Sequence, residues 1–285
     1  MEWIYNSTFL PIVIRYMLRH IKQVVTVCGR GRIQDIARRV RHGLCQPRIQ
    51  RPKGFRQLAQ KATGKKGLEI GGPSAIFDAK GSLPLYQSVG HLDGCNFSER
   101  TIWEGDICEG QNYRFGGRTG YQYINEATCL RAIESHSYDF VLASHCLEHI
   151  ANPLLAISEW LRILRPGGFI VLVLPDGTQT FDHRRPTTTF VHLLSDYSNS
   201  VKEDDLSHLD EILTLHDLAM DPPAGNVSAF EKRSRENFRN RCLHHHVFDL
   251  NLLKTICAHF ELETFMEAAV KPYHLIVAAS KKPNL

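Results

Sequence analysis

Two hydrophobic periods divide the chain. Residues 67–70, 138–143 and 169–174 are short, nearly unbroken apolar runs. Runs of this length predict strands buried on both faces, as in a parallel sheet covered by helices. The first run ends in Gly71-Gly72-Pro73. A strand that opens into a glycine turn is the usual entrance to a nucleotide site, because backbone N–H groups there approach a ligand with no Cβ in the way. Between the second and third runs the period becomes helical. Asn152-Pro153 supplies an N-cap and a first-turn proline, Leu154, Ile157, Leu161 and Leu164 make an inner stripe, and Arg165-Pro166-Gly167-Gly168 ends the helix. Residues 261–270 and 273–279, around Lys271-Pro272, read as a closing hairpin.

The first part of the chain has a different character. In residues 12–27, Arg15, Arg19, Lys22 and Thr26 form one narrow polar stripe on an otherwise apolar helix. A second helix carries Ile33, Ile36, Ala37, Val40 and Leu44 on one face and turns Arg38, Arg39 and Arg41 outward. Residues 46–54, with Pro47 and Pro52, read as a linker, and Phe55, Leu58, Ala59 and Ala62 mark a short third helix. Charge follows the same division: residues 1–66 carry +13 and the remainder −9, within a net charge of +4. The pattern divides the chain into a basic helical extension, residues 1–60, and a body, 61–285, with an insertion at about 176–246. Attachment to an anionic membrane surface suits the extension. Packing on the body or on a second subunit, nucleic-acid binding and organelle targeting are its alternatives.

Composition narrows the class. Hydrophobic residues make up 43 % and charged residues 22 % of the 285, which excludes a disordered or collagen-like chain. The charge-free stretch at residues 3–14 is too short for a membrane span. Eight cysteines without a Cys-x-x-Cys pair make neither a disulfide framework nor a zinc knuckle, and predict reduced thiols in a cytoplasmic protein.

Three motifs carry a resemblance. Leu68-Glu69-Ile70-Gly71-Gly72-Pro73, the stretch from Tyr138 to Ile150 with its Ser144-His145-Cys146-Leu147-Glu148-His149, and Leu164-Arg165-Pro166-Gly167-Gly168 together resemble class I S-adenosylmethionine-dependent methyltransferases. The subgroup with a Leu-Glu-His helix start and an Arg/Lys-Pro-Gly-Gly turn is the most similar. The resemblance implies an α/β fold: a Rossmann-like, seven-stranded, mostly parallel sheet with an antiparallel C-terminal hairpin and the cofactor at the strand ends. It implies S-adenosylmethionine as cofactor, with Glu69, Gly71, Gly72 and Pro73 around its methionine end. Pro73 and Ala75 stand where the family commonly has further glycines. Asp93 is the best match to the acid that accepts the ribose hydroxyls, with Glu104 and Asp106 as rivals. Glu126 and Ala127 match the adenine-reading strand end, and Ser144 the mouth of the fourth parallel strand.

The chemistry asks for geometry and, with a hydroxyl acceptor, a base. His145, at that same strand mouth, is the candidate base and His149 its rival; a histidine that only lines the pocket or caps the helix is the alternative. Substrate choice is expected in the insertion. There Phe181-Asp182-His183-Arg184-Arg185-Pro186-Thr187-Thr188 resembles a subset of methyltransferases associated with cell-surface glycans. Asp182, His183 and Arg184, with His244 and His245, suit an acceptor bearing hydroxyls or an anion; an internal salt-bridge network is the alternative for the first three. No metal is expected, since His244, His245 and His246 cannot all face one ion on a regular strand or helix. The expected reaction is methyl transfer to a hydroxyl or similar nucleophile of a saccharide or glycan-linked acceptor. A small-molecule or lipid-linked acceptor is the alternative, and an inactive binding protein of the same fold the alternative of another class.

Overall fold

The structure, a computed structural model, describes residues 51–283. The two basic helices expected over the first 50 residues, and the membrane contact ascribed to them, lie outside the described residues. The described part belongs to one compact unit, Gln50–Leu285. Among the described residues no helix is long and apolar enough to cross a membrane.

Eight strands form one sheet: β1 (Lys66–Ile70), β2 (His91–Asn96), β5 (Gly110–Phe115), β6 (Arg118–Ile124), β7 (Tyr138–Ser144), β8 (Leu164–Pro175), β9 (Glu263–Val270) and β10 (His274–Ser280). Their order is β5-β6-β2-β1-β7-β8-β10-β9. The five from β6 to β8 are parallel, and the C-terminal hairpin β9–β10 adds antiparallel to β8. This is the expected mixed sheet plus one strand. The extra strand, β5, folds back on β6 through Gly116 and Gly117, both with positive φ. Two such residues make the tight turn whose twist suits an antiparallel hairpin. A separate small hairpin joins β3 (Arg100–Thr101) to β4 (Gly105–Asp106).

Alternate residues of the central strands are apolar on both faces, so the sheet is buried on both sides. On one face, Leu68, Val141, Ile170, Leu172 and Val277 pack under α2 (Pro153–Ile163) and α7 (Leu250–His259), with Leu193 from α3 (Phe190–Ser198). On the other face, Phe140, Val171 and Ile276 meet Leu58 and Ala62 of α1 (Phe55–Ala62), and then Phe77, Leu83, Leu85 and Tyr86 from an irregular segment between β1 and β2. The expected helix over 152–164 ends one residue early. Leu164 already pairs with Tyr138, Phe169 pairs with Phe140, and Arg165-Pro166-Gly167-Gly168 loops out between these two rungs as a bulge. Trp160, not Leu161, completes the buried helix face.

The insertion carries α3, α4 (Leu209–Leu215), α5 (Val227–Arg235) and α6 (Asn237–Asn240). It has a small core of its own, built on Ile212, Ala224, Phe230 and Leu243.

Candidate active site

The C-terminal ends of the parallel strands open onto a cavity of about 770 Å³. Ile70, Gly71 and Pro73 line it from β1, Asn96 and Phe97 from β2, Asn125, Glu126 and Ala127 from β6, and Ser144, His145 and Cys146 from β7. Gly71 has φ +74, and a Cβ there would stand 3.2 Å or less from the Cys146 side chain, so this turn needs glycine. Gly72 is as constrained, since a Cβ there would come within 2.4 Å of the Glu69 carboxylate.

Glu69 is fully buried and does not line the cavity. Tyr86 and Tyr113 each donate a hydroxyl hydrogen bond to it at 2.6 Å, and the Ser74 N–H donates at 3.0 Å. Burial pushes its carboxyl pKa up against these donors. Glu69 therefore shapes the glycine loop from behind.

The ribose position needs a correction. Asp93 lies three residues before the end of β2 and does not line the cavity. Its carboxylate accepts from the Tyr121 N–H at 2.8 Å and the Tyr138 hydroxyl at 2.8 Å, and it meets His91 Nε2 at 2.7 Å. The residue at the strand end is Asn96, whose amide donates to the Gly72 carbonyl at 3.1 Å and so ties β2 to the glycine loop. Parallel pairing of Ile70 with Cys95 brings these two strand ends level. Of the two rivals, Glu104 lines the cavity, whereas Asp106 is paired with Arg100 on the surface.

Glu126 and Ala127 stand at the cavity edge as expected. The Ala127 carbonyl accepts from Trp160 Nε1 at 3.0 Å, which fastens that loop to α2. Arg241 of the insertion, itself at φ +53, reaches Glu126 at 2.6 Å and Glu203 at 2.9 Å. Its guanidinium also lies 4.9 Å from the Phe97 ring centre. Burial raises the Glu203 carboxyl to about 7, against the lowering effect of Arg241. Arg241 and Glu203 escaped sequence reasoning because each lies more than 70 residues from Glu126 along the chain.

His145 lines the cavity at φ +49, a conformation that non-glycine residues adopt rarely and that concentrates at functional sites. Its Nε2 lies 2.9 Å from His274 Nδ1. Its Nδ1 stands 3.5 Å from Glu148, whose two oxygens are buried without a hydrogen bond. His149, the rival base, points Nδ1 at the Leu243 carbonyl, and burial together with the His244 charge lowers its pKa to about 4.

The expected acceptor triplet is not in the cavity. After β8 a single turn, Gly177–Gln179, brings Thr180 and Phe181 to the wall. Asp182 is then turned inward and buried, where Arg185 Nη1 meets it at 3.0 Å. His183 and Arg184 face outward, both 2.9 Å from Asp217. His245 is buried against Asn237 at 3.0 Å and does not line the cavity. Of the five candidates, His244 alone is on the wall, with Nδ1 2.5 Å from Asp182 Oδ2. Burial would lower the His244 pKa, but the Asp182 charge and hydrogen bond outweigh it and raise it. Asp182 is correspondingly held at about 2, with burial outweighed by His244 and Arg185. Arg185 is the part of this network the sequence reading overlooked. It is buried, binds Glu211 at 2.8 Å, and donates to the carbonyls of His244 and His245.

Residues 84–172 match the model of a methyltransferase domain family. The match covers β2, β6 and β7, whose ends build the cavity, and most of β8. Over that stretch the chain is similar to a methyltransferase domain. Solved structures similar to this chain include an S-adenosylmethionine-dependent methyltransferase from Methanosarcina mazei, 16 % identical, covering 79 % of this chain and 97 % of that one with a TM-score of 0.44. Another comes from Aquifex aeolicus, 12 % identical, covering 84 % and 95 % with a TM-score of 0.38. The 1,6-didemethyltoxoflavin N1-methyltransferase of Burkholderia thailandensis is 11 % identical, covering 81 % and 79 % with a TM-score of 0.41. No curated protein matches the chain.

The residues present fit the cofactor. A bare glycine turn, strand-end polar groups at Asn96, Glu104 and Glu126, and the Ala127 backbone surround one cavity.

Proposed function

We propose that this methyltransferase acts on a hydroxyl of a polar, saccharide-like acceptor, with His244 as general base. The Asp182–His244 pair at the cavity wall carries the reading. A buried carboxylate on Nδ1 fixes the imidazole tautomer, raises its basicity and leaves Nε2 for an acceptor proton. His145, the base expected from the sequence, has its Nε2 against His274, so its part in the proposal is to line the pocket.

Bound S-adenosylmethionine supplies a methyl already activated on a sulfonium. The chain then has to hold the acceptor in line, exclude water and take one proton. A saccharide suits the acceptor side because apolar faces and hydrogen-bonding groups alternate there. Trp103 at the rim, Phe181 and Tyr273 stand among Gln179, Thr180, Asp221 and Arg233. Aromatic faces cover the C–H face of a sugar ring while polar groups fix its hydroxyls.

The test is a screen of labelled methyl donor against free saccharides, lipid-linked saccharides, phenols and amines, with His244→Gln in parallel. The reading expects a hydroxylated acceptor, a loss of about 100-fold or more in the variant, and unchanged cofactor affinity. An amine acceptor, or full turnover by the variant, overturns it. The charge of +13 on residues 1–66 supports an additional peripheral contact with an anionic membrane. Salt-insensitive or absent co-sedimentation of the whole chain with anionic vesicles speaks against that contact.

A further inference from the structure

A second cluster of titratable groups lies outside the cavity lining. His192 and Asp196 are one turn apart on α3, and this i, i+4 spacing puts them on one helix face. His208 precedes α4, and His246 belongs to the segment that follows α6. The sequence places these residues on three separate segments, and the tertiary fold brings them together. His192 Nε2 is 3.0 Å from His208 Nε2, and Asp196 Oδ2 is 3.2 Å from His192 Nε2 and 3.6 Å from His246 Nε2. One nitrogen from each of the three histidines falls within 4.8 Å of the others.

These contacts are poorly explained as hydrogen bonds. Two imidazole nitrogens face each other across 3.0 Å, so at most one can donate to the other. Asp196 Oδ2 is buried and has no hydrogen-bond partner despite its neighbours. Such a group is costly to leave unpaired. The same distances suit donors around one ion. Four ligands held 2.0–2.2 Å from a tetrahedral zinc ion lie about 3.3–3.6 Å apart; three of the six separations here are 3.0, 3.2 and 3.6 Å, and the three histidine nitrogens lie within 4.8 Å of one another, so an ion would draw the set together.

The geometry points to a structural divalent-metal site of the zinc class, with His192, His208 and His246 as nitrogen ligands and Asp196 as the oxygen ligand. Three imidazoles and a carboxylate make a closed set of four, without the open position a catalytic zinc keeps. On loading, His246 Nε2 exchanges its 3.2 Å contact with the Ala151 carbonyl for the ion. The Asp196 backbone is already fixed, since its carbonyl accepts from the Asn152 amide at 3.1 Å. Of the three adjacent histidines only His246 serves, which removes the objection that three neighbours cannot face one ion. The ion joins α3, the entry to α4 and the segment carrying His244. It thereby sets the wall of the cavity from a distance.

The probe is zinc alone, with the full chain. The expected result is about one zinc per chain after purification from zinc-supplemented medium, and a raised melting temperature when zinc is returned to chelator-treated protein. Cobalt in its place should give the strong visible absorption of a four-coordinate ion. His192→Gln, at a side chain 39 % exposed and so safe for folding, should weaken zinc binding at least about 100-fold and leave the cofactor Kd unchanged. His208→Gln should do the same. Absence of stoichiometric zinc in the wild-type chain overturns the inference. So does zinc retained by both variants, the outcome expected if the ion sat instead among Glu148, His149 and His244 in the cavity.

Discussion

Replacing Asp182 by Asn tests the proposed base most directly. Asp182 does not line the cavity, so the change removes a charge from behind His244 without touching the acceptor or cofactor. The 2.5 Å contact between the two is a charge-assisted hydrogen bond from the part-buried His244 to the buried Asp182. Bonds of that kind contribute about 1.5–3 kcal/mol. The carboxyl itself gives a similar figure: holding it at about 2 instead of 3.8 corresponds to about 2 kcal/mol favouring its charged form, shared between His244 and Arg185. Felt in the transition state, this is about a 10- to 150-fold loss in kcat/KM. The pH profile should move as well. His244 works as a base only when neutral, and Asp182 raises its pKa, so wild-type activity falls as pH drops through that raised value. In Asp182→Asn the acid limb should shift to lower pH beneath a lower plateau. Labelled-methyl turnover across pH gives both quantities, and histidine-selective NMR reads the His244 titration without any acceptor. Calorimetry should find the cofactor Kd unchanged. An unmoved His244 titration together with undiminished turnover refutes the reasoning. A loss of cofactor binding equal to the loss of turnover would make the network a structural support of the pocket.

Gly71→Val should abolish cofactor binding while the fold persists, because φ +74 and the nearby Cys146 side chain leave no room for a branched residue; calorimetry that finds wild-type affinity in a folded variant contradicts the cofactor site. Acid should destabilise the domain early. Burial, chiefly, lowers His149 to about 4 and His245 to about 3, so between pH 6.5 and those values the unfolded chain binds protons that the folded one does not. Stability therefore falls as pH drops from about 6.5 toward 4, by a few kcal/mol from the buried His245 and so by roughly 10 °C in Tm. His244, raised by Asp182, acts in the opposite direction. A Tm that stays flat between pH 7 and 5 contradicts this account.

Much of the architecture was legible before folding, because its causes are local. Apolar runs at 67–70, 138–143 and 169–174 are buried strands wherever they sit in the chain, and a glycine turn after the first opens the same strand end in any such sheet. Asn152 caps its helix within three residues, accepting from the Leu155 N–H at 3.1 Å. Of the residues expected around the cofactor, Gly71, Pro73, Glu126, Ala127 and Ser144 line the cavity, as does His145.

What failed depended on where a strand stops or on partners distant in sequence. Asp93 carries the expected charge, but pairing continues to Asn96, so the acid is held inside the strand by Tyr121 and Tyr138. The Asp182-His183-Arg184 triplet has the right composition for a pocket. Its direction was settled by Arg185, buried among residues up to 60 positions away, which draws Asp182 inward. The pairing of Asp182 with His244 spans 62 residues, and the cluster at 192, 196, 208 and 246 spans 54. Local propensity is silent about such pairs, because a side chain's chemistry depends on the charge and solvent around it. Only the packing of the insertion against the strand ends decided which histidine faces the cavity and which carboxylate stands behind it.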